Sequence, residues 1–506
     1  MPAEFDIRRV PDGYIADPYR VLADLRTKAP VYPNPDGSFV LTRYADIEHI
    51  YRDPVLWSSD KKSAFWPKFG DSPLFEHHTT SVVFTDPPDH TRIRKLFQSA
   101  FTRKALNAFV PRISGLVHGY LDRLADAGQM EVVEEFSFRL PIEVVSDLLG
   151  VPQSDRGLIR RWAEAILTAL EPSLTQDQLD HGNRSVIEFK EYLRDLIKAR
   201  RANPASASDT EVIGTLADAE ADGERLTEIE LLHQCIFMLN AGHETSTNMI
   251  SHGIHEMLRH PDQIDRLRRD PGLIDPMVEE VLRYQAPIQI NNRAATTDIR
   301  VAGVDIPKGS NVHLMINAAN RDPDQFPDPD RFDIGRKPNR HLSFGLGIHI
   351  CAGNTLARME AAIAFQKLFE RFEKLDLVEP AQIAPRIRFR EIKRLVIAAK
   401  SRKRAPLRPS LMCRILAVPT QITGTLADAH PPKRRCFLPI QPPHGRPPSI
   451  AGHLLRGAGH CGFHHEWRLP NRNRYWQRPK EILRDVQSPR ATGVLHRRAG
   501  HLRLFQ

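Results

Sequence analysis

One ten-residue stretch constrains this chain more than any other: Phe344-Gly345-Leu346-Gly347-Ile348-His349-Ile350-Cys351-Ala352-Gly353. Its glycines let the backbone turn tightly and come close to a bound group. A helical pattern from Thr355 to Leu375 follows, so N–H groups at that helix start can hydrogen-bond a sulfur placed just before it. A lone cysteine is usually a small buried hydrophobe. Set in this loop, Cys351 reads instead as a ligand whose thiolate pushes electron density onto a metal.

The rest of the chain sets the context. Its 506 residues, 41% of them hydrophobic, suffice for a large core. Several domains would fit this length, although single enzyme folds also exceed 400 residues. No run approaches the ~18–20 apolar residues that span a bilayer. The start, Met1-Pro2-Ala3-Glu4-Phe5-Asp6-Ile7-Arg8, lacks an apolar signal region, which points to the cytoplasm. Five cysteines (Cys235, Cys351, Cys413, Cys436 and Cys461) make no disulfide framework, as in a reducing compartment. The net charge of +9 is an average of two unlike parts. Residues 401–506 carry 20 Lys+Arg against 4 Asp+Glu, which leaves 51 against 58 in residues 1–400.

The body reads as mostly helical with a few short strands. Asp17-Pro18-Tyr19 opens an amphipathic helix, and Phe39-Val40-Leu41-Thr42 after Asp36-Gly37 reads as a hairpin strand. Ser58–Phe84 shows little periodicity and many aromatics, so it reads as a long functional loop. A basic helix follows His90 through Arg92, Arg94 and Lys95. The capping box Thr227-Glu228-Ile229-Glu230 opens a long helix running to about His260. Gly242 in that helix costs ~1 kcal/mol relative to Ala, which invites a functional explanation. A further helix ends with Glu279-Glu280-Val281-Leu282-Arg283, short strands fall near Ile299–Val301 and Val312–Ile316, and Asp322–Phe332 is a meander.

The Cys351 loop closely resembles the haem-binding loop of the cytochrome P-450 family. Ala241-Gly242-His243-Glu244-Thr245, placed so that Thr245 is about 106 residues before the cysteine, resembles its oxygen-activation segment. A threonine there can bond back to the carbonyl one turn earlier and bend the helix, opening a groove for dioxygen. Glu280-Val281-Leu282-Arg283 resembles the family's ExxR tetrad, a motif that is weak alone because i,i+3 pairs are common. The likeness covers roughly residues 10–400. It implies the cytochrome P-450 fold, mainly α with small β-sheets, with haem b between the long oxygen-binding helix and the Cys-loop helix.

By the same resemblance Cys351 holds the haem iron, Thr245 and Glu244 are the catalytic pair that activates dioxygen and relays protons, and Arg331 joins the Glu280–Arg283 pair. His90, Arg94, Arg293 and His349 bind the haem propionates, which need paired donors when buried. The implied activity is that of a soluble bacterial monooxygenase inserting one oxygen atom into a mostly apolar small organic substrate. The competing class is a non-catalytic haem protein or sensor, which would need no Glu244–Thr245 relay. Electrons would come from NAD(P)H through a ferredoxin reductase and a ferredoxin, which docks near Arg340 and Arg358. The expected pocket is lined by Ser58–Phe84 with Phe65 and Trp66, and by Leu239, Ala241, Ile288, Ile290 and Asn291. Terpenoid, fatty acyl and aromatic substrates all suit that lining.

Residues 1–400 thus form the expected haem domain, a monomer without a membrane span or nucleic-acid partner. Residues 401–506 hold 13 prolines and 8 histidines and show no apolar period. A basic arm for nucleic acid or anionic membrane is one reading. Cys436, Cys461, His464 and His465 match no zinc-finger spacing. The composition favours disordered or non-native sequence, such as a shifted frame whose junction could fall as early as Arg386–Arg394.

Overall fold

The computed structural model describes residues 5–402 apart from 99–100, 102, 172–173, 204–210, 219 and 222–223. Of the basic tail only Ser401 and Arg402 are described, so Cys413, Cys436, Cys461, His464 and His465 lie outside the described residues. Helices dominate, and the strands form small sheets.

The 32-residue central helix, Glu228–Arg259, is the axis of the core. It starts where the capping box places it. Thr227 Oγ1 accepts the Glu230 N–H at 3.2 Å, and the Glu230 carboxylate accepts the Thr227 N–H at 2.9 Å. Buried residues occur all round the helix, as expected of a helix enclosed by others. It packs on Arg139–Leu148, Arg156–Thr168, Gln176–Ala202 and Asn354–Arg371. The last of these, which follows the Cys351 loop, approaches most intimately. A Cβ at Gly253 would overlap the fully buried Phe365 ring. Seven residues earlier, Ser246 comes close enough to Glu360 to favour its carboxylate, while burial pushes that carboxyl up to about 8. Both contacts advance in the same chain direction, so the two helices run side by side in parallel.

A five-stranded sheet supplies the second frame. Its order is Val31–Pro33, Phe39–Leu41, Asn311–Met315, Ile290–Ala295, Trp57–Ser58. Asn311–Met315 runs parallel to Phe39–Leu41 and antiparallel to Ile290–Ala295. Side chains alternate along a strand, so Asn291 and Arg293 share one face of the sheet.

Three expectations need correction. Ser58–Phe84 is not a loop. It contains helices Lys62–Phe69 and Pro73–Thr80 and the 3₁₀ turn Val82–Phe84. These helices are short, and aromatics pack between them, with Trp66 edge-on to Phe75 at 5.2 Å, so no single apolar face shows in the sequence. The Ser72-Pro73 start was the available signal: Ser72 Oγ accepts the Phe75 N–H at 3.3 Å. The helix expected to reach Leu375 ends at Arg371, because Phe372–Leu377 pairs with Val396–Ser401 as a strand. That partner strand runs past Lys400, and the Arg402 N–H reaches the Arg371 carbonyl at 3.2 Å.

The third correction concerns the Glu280–Arg283 pair. Both side chains are fully buried and joined by two 2.8 Å bonds. The third arginine is Arg336, 3.3 Å from Glu280, and not Arg331. Arg331 is exposed and offers its carbonyl to Arg283 and Arg336. Asn339 Nδ2 and the Asp333 N–H complete the Glu280 shell at 3.1 and 2.9 Å. A buried pair so fully bonded is costly to break from either side.

Two outcomes are expected. Gly253→Ala should destabilise the protein by about 1–3 kcal/mol through overpacking, although Ala is the better helix former by ~1 kcal/mol. Thermal unfolding reads the sign, and a stabilised variant would mean that Phe365 yields. Arg336→Ala should cost about 1–3 kcal/mol in a urea melt, against about 0.5 kcal/mol or less for Arg331→Ala. Equal losses would contradict the reassignment.

Candidate functional site

The Cys351 loop is held by two left-handed glycines. Gly345 and Gly347 have φ of 65° and 69°, and a Cβ on Gly347 would overlap the Tyr51 carbonyl. The Cys351 N–H donates to the Phe344 carbonyl at 2.9 Å. Burial raises the thiol pKa, while the Gly353 N–H and the charges of Arg94 and Arg358 oppose that rise by favouring the thiolate. Cys351 keeps partial exposure, whereas Cys235 is wholly buried in apolar core; both are free thiols.

The four expected propionate residues come together beside it. His90 is 2% exposed, and neither ring nitrogen has a partner. Its ring lies 4.1 Å from that of His349, whose Nε2 is also unpartnered. Arg94 donates to the Ile350 carbonyl at 2.6 Å and leaves Nε free. Arg293 is buried, stacks over Tyr51 at 5.3 Å and donates to its neighbour's carbonyl at 2.8 Å. Burial, then the charges of Arg293, His90 and Arg94, hold His349 down at about 2. Burial, then Arg94, lowers His90 to about 4. Asp86 is an acid whose charge reaches His90 and Arg293, but its oxygens already serve Ser58 and Ser59. Two converging arginines and two unpartnered histidines beside a thiol fit a haem, which brings two carboxylates and an iron.

The oxygen-activation segment lies on the central helix. Thr245 Oγ1 donates to the Ala241 carbonyl at 2.7 Å, the back-bond expected from the sequence. The helix nevertheless remains continuous through this turn. Gly242 faces Val145, whose methyl would sit 3.3 Å from an added Cβ. Since the central and Cys-loop helices run parallel through Ser246–Glu360 and Gly253–Phe365, tracing both backwards brings Ala241–Thr245 towards the Cys351 loop.

Glu244 belongs to a network invisible in its own segment. Arg386 binds Glu244 and also reaches Glu171 and Glu391, each at 2.9 Å. Burial raises Glu244 to about 7; Arg386 opposes this, and the negative charges of Glu391 and Glu171 add to it. Three carboxylates share one guanidinium, so one of them holds a proton near neutrality. The alternation Arg386-Ile387-Arg388-Phe389-Arg390 was the sequence signal for this turn.

The expected lining divides. Ala241, Asn291 and Ile288 keep partial access, and Ile290 is 4% exposed. Leu239 is fully buried in the apolar core. Two residues from Ala241, it points ~200° around the helix, away from the face shared by Ala241 and Thr245. Phe65 packs edge-on to Phe69 and Phe84 at 5.4 and 5.3 Å, whereas Trp66 is 54% exposed. Arg340 is exposed, but Arg358 is held by Glu279 at 2.6 and 3.0 Å.

Comparison with known proteins bears on the family to which the chain belongs. The cytochrome P-450 family profile matches residues 160–271 and 272–391. A biotin-biosynthesis cytochrome P-450 of Bacillus subtilis (strain 168) is 36% identical over 372 residues, 72% of this chain and 92% of the relative. The 6-deoxyerythronolide B hydroxylase of Saccharopolyspora erythraea is 37% identical over 378 residues, 72% of this chain and 91% of that enzyme. A crystal structure of the cytochrome P-450 BioI with a hexadec-9Z-enoic-acid-ligated acyl carrier protein superposes with a TM-score of 0.72 at 34% identity, covering 76% of this chain and 99% of that one. Among the described residues no helix is long and apolar enough to cross a membrane. The fold, the cysteine loop and these relatives agree: the chain belongs to the cytochrome P-450 family of monooxygenases, which work with haem iron and dioxygen.

Proposed function

We propose that this protein is a haem-thiolate monooxygenase in which Cys351 is the iron ligand and His90, Arg94, Arg293 and His349 receive the propionates. The observation that carries this reading is the meeting of a free, partly accessible thiol with buried Arg293, half-buried Arg94 and two unpartnered imidazoles. Bound haem iron supplies the reductive activation of dioxygen and the transfer of one oxygen atom to substrate. The chain supplies the rest. The Gly353 N–H and Arg94 favour the Cys351 thiolate, Thr245 holds a proton at Oγ1, and Glu244 stores one on a carboxyl poised near 7. Arg386 fixes that carboxyl in place. A buried acid beside a hydroxyl suits proton delivery and favours the monooxygenase over a passive haem sensor.

Electrons reach the haem from NAD(P)H through a separate ferredoxin. Its dock is better served by exposed Arg340 than by Arg358, whose charge Glu279 already answers. The free thiols of Cys235 and Cys351 accord with a cytoplasmic location. The substrate is a small organic molecule with a substantial apolar part, which suits Ala241 and Ile288, the partly accessible apolar residues among those expected to line the pocket.

Cys351→Ala should lose the red-shifted Soret band of the reduced carbon monoxide complex together with product formation; a retained band would assign the iron to another ligand. Thr245→Ala should keep that band while product per reducing equivalent falls by about tenfold or more, with hydrogen peroxide in its place. Unchanged coupling would remove Thr245 from proton delivery.

Glu244 also predicts a pH dependence. Its folded value lies above the usual 4.5, so it keeps its proton as pH rises to about 7 and loses it beyond. Coupling of electrons to product should decline above that point. Glu391→Gln removes a negative neighbour and leaves Arg386 freer to stabilise the Glu244 carboxylate, so the decline should move to lower pH. A profile that stays in place or moves upward would refute the shared-guanidinium account.

A further inference from the structure

Arg94 and Arg293 do not exhaust the basic side chains near this site. Beyond the four residues already placed stand Lys61 and Arg388. The Lys61 side chain lies in a residue only 6% exposed, and its ammonium has no hydrogen-bond or ion-pair partner among the described residues. Burial, then the charges of Arg293 and Arg388, lower it to about 7, while Asp86 and Asp60 pull the other way. Arg388 makes one long hydrogen bond, from Nη1 to Asn292 Oδ1 at 3.3 Å. Its charge also bears on Lys68, His78 and His313. Glu171 favours the Arg388 charge, but its carboxylate is bound by Arg386. Arg388 keeps partial access and is held by a single long hydrogen bond, and burial together with Arg293 and Arg388 disfavours the Lys61 ammonium, so an anion brought from outside would satisfy donors that the chain leaves short.

Their place in the fold says which anion. The Arg388 carbonyl accepts the Gln289 N–H at 2.8 Å, which ties it to the strand Ile290–Ala295 that carries Arg293. Two residues earlier, Arg386 holds Glu244 beside Thr245. Arg388 therefore stands between the oxygen-activation segment and the haem-facing strand. Its hydrogen-bond partner Asn292 alternates along the strand with Asn291 and Arg293, which sets Arg388 apart from the propionate group. Ile288, bridged to Phe389, and the Phe65–Phe84 pair with His78 supply apolar surface nearby.

We infer that Arg388 and Lys61 anchor a carboxylate on the substrate, which is therefore an organic acid: an apolar body with its acidic end at Arg388, Lys61 and Asn292 and its apolar part towards Thr245. This rests on the haem-thiolate reading and narrows the substrate from mostly apolar to amphiphilic and anionic.

The test is calorimetric titration of the haem-loaded full chain with dodecanoate and 4-phenylbutanoate, each against its alcohol, dodecan-1-ol and 4-phenylbutan-1-ol. At low ionic strength at least one acid should bind about tenfold or more tighter than its alcohol, the scale of a buried charge-assisted contact. Arg388→Gln should bring that preference within about threefold, and Arg388→Lys should keep most of it. Haem content should stay unchanged in both. Acids that bind no better than their alcohols, or do not bind at all, overturn the inference. So does loss of haem from folded Arg388→Gln, which would return Arg388 to the propionates. Should Arg388→Gln not fold, Lys61→Met in the same titrations decides. A missing red-shifted carbon monoxide band in the unaltered protein would defeat the thiolate assignment instead, and the acid-over-alcohol preference is read independently of it.

Discussion

Everything at the site depends on how closely two helices can run. Glu228–Arg259 and Asn354–Arg371 touch where Gly253 has no side chain and Phe365 fills the space. That contact and the approach of Ser246 to Glu360 set the two helices in register. Register matters because the chemistry lies upstream of the Gly253 contact, at Thr245 within one helix and in the Cys351 loop that precedes the other. A slip of one turn would move the pair ~5.4 Å apart along the axis. Thr245 and the Cys351 loop are thus brought together by packing that continues into the interior as far as Gly253 and Phe365.

A second constraint is electrostatic. Protein interiors tolerate charge when it is paired and hydrogen-bonded. Glu280 meets that rule within the chain, through Arg283, Arg336, Asn339 and a backbone N–H. The polar groups around Cys351 do not: Arg94 and the two imidazoles of His90 and His349, which burial keeps neutral, retain unpartnered nitrogens. The contrast separates two uses of buried charge. One set closes on itself and supports the scaffold; the other leaves donors and acceptors unsatisfied beside the thiol. Burial alone does not distinguish them, because Arg283 and Arg293 are both deep.

Local motifs were legible in the sequence because their physics is local. The Thr227 capping box, the Thr245 back-bond and the Gly345–Gly347 turns involve neighbours a few positions apart, and all appear where expected. Reading failed where the partner is remote. Arg331 and Arg336 stand five positions apart in the same meander, and only the turn at Asp333 decides which reaches Glu280. Arg386 could not be tied to Glu244 across 142 positions. Leu239 was placed by nearness in sequence to Ala241, although the helix turns it into the core. The helices in Ser58–Phe84 escaped because each is eight residues long and packs aromatics on more than one side.

Tyr51 has reach beyond its size. Its carbonyl closes against Gly347, its ring carries Arg293, and its hydroxyl accepts from Asn291 Nδ2 at 3.2 Å. One residue from a short peripheral helix thus touches the cysteine loop, a cation and the opposite strand face. Substitutions at 51, 291, 293 and 347 are therefore not independent events, since residues sharing a contact depart from additivity by about 0.5–3 kcal/mol. In evolutionary terms these four positions form an epistatic group. Drift at any one of them is conditional on the other three, and the route to a different side chain at 51 passes through prior change in the loop that holds Cys351.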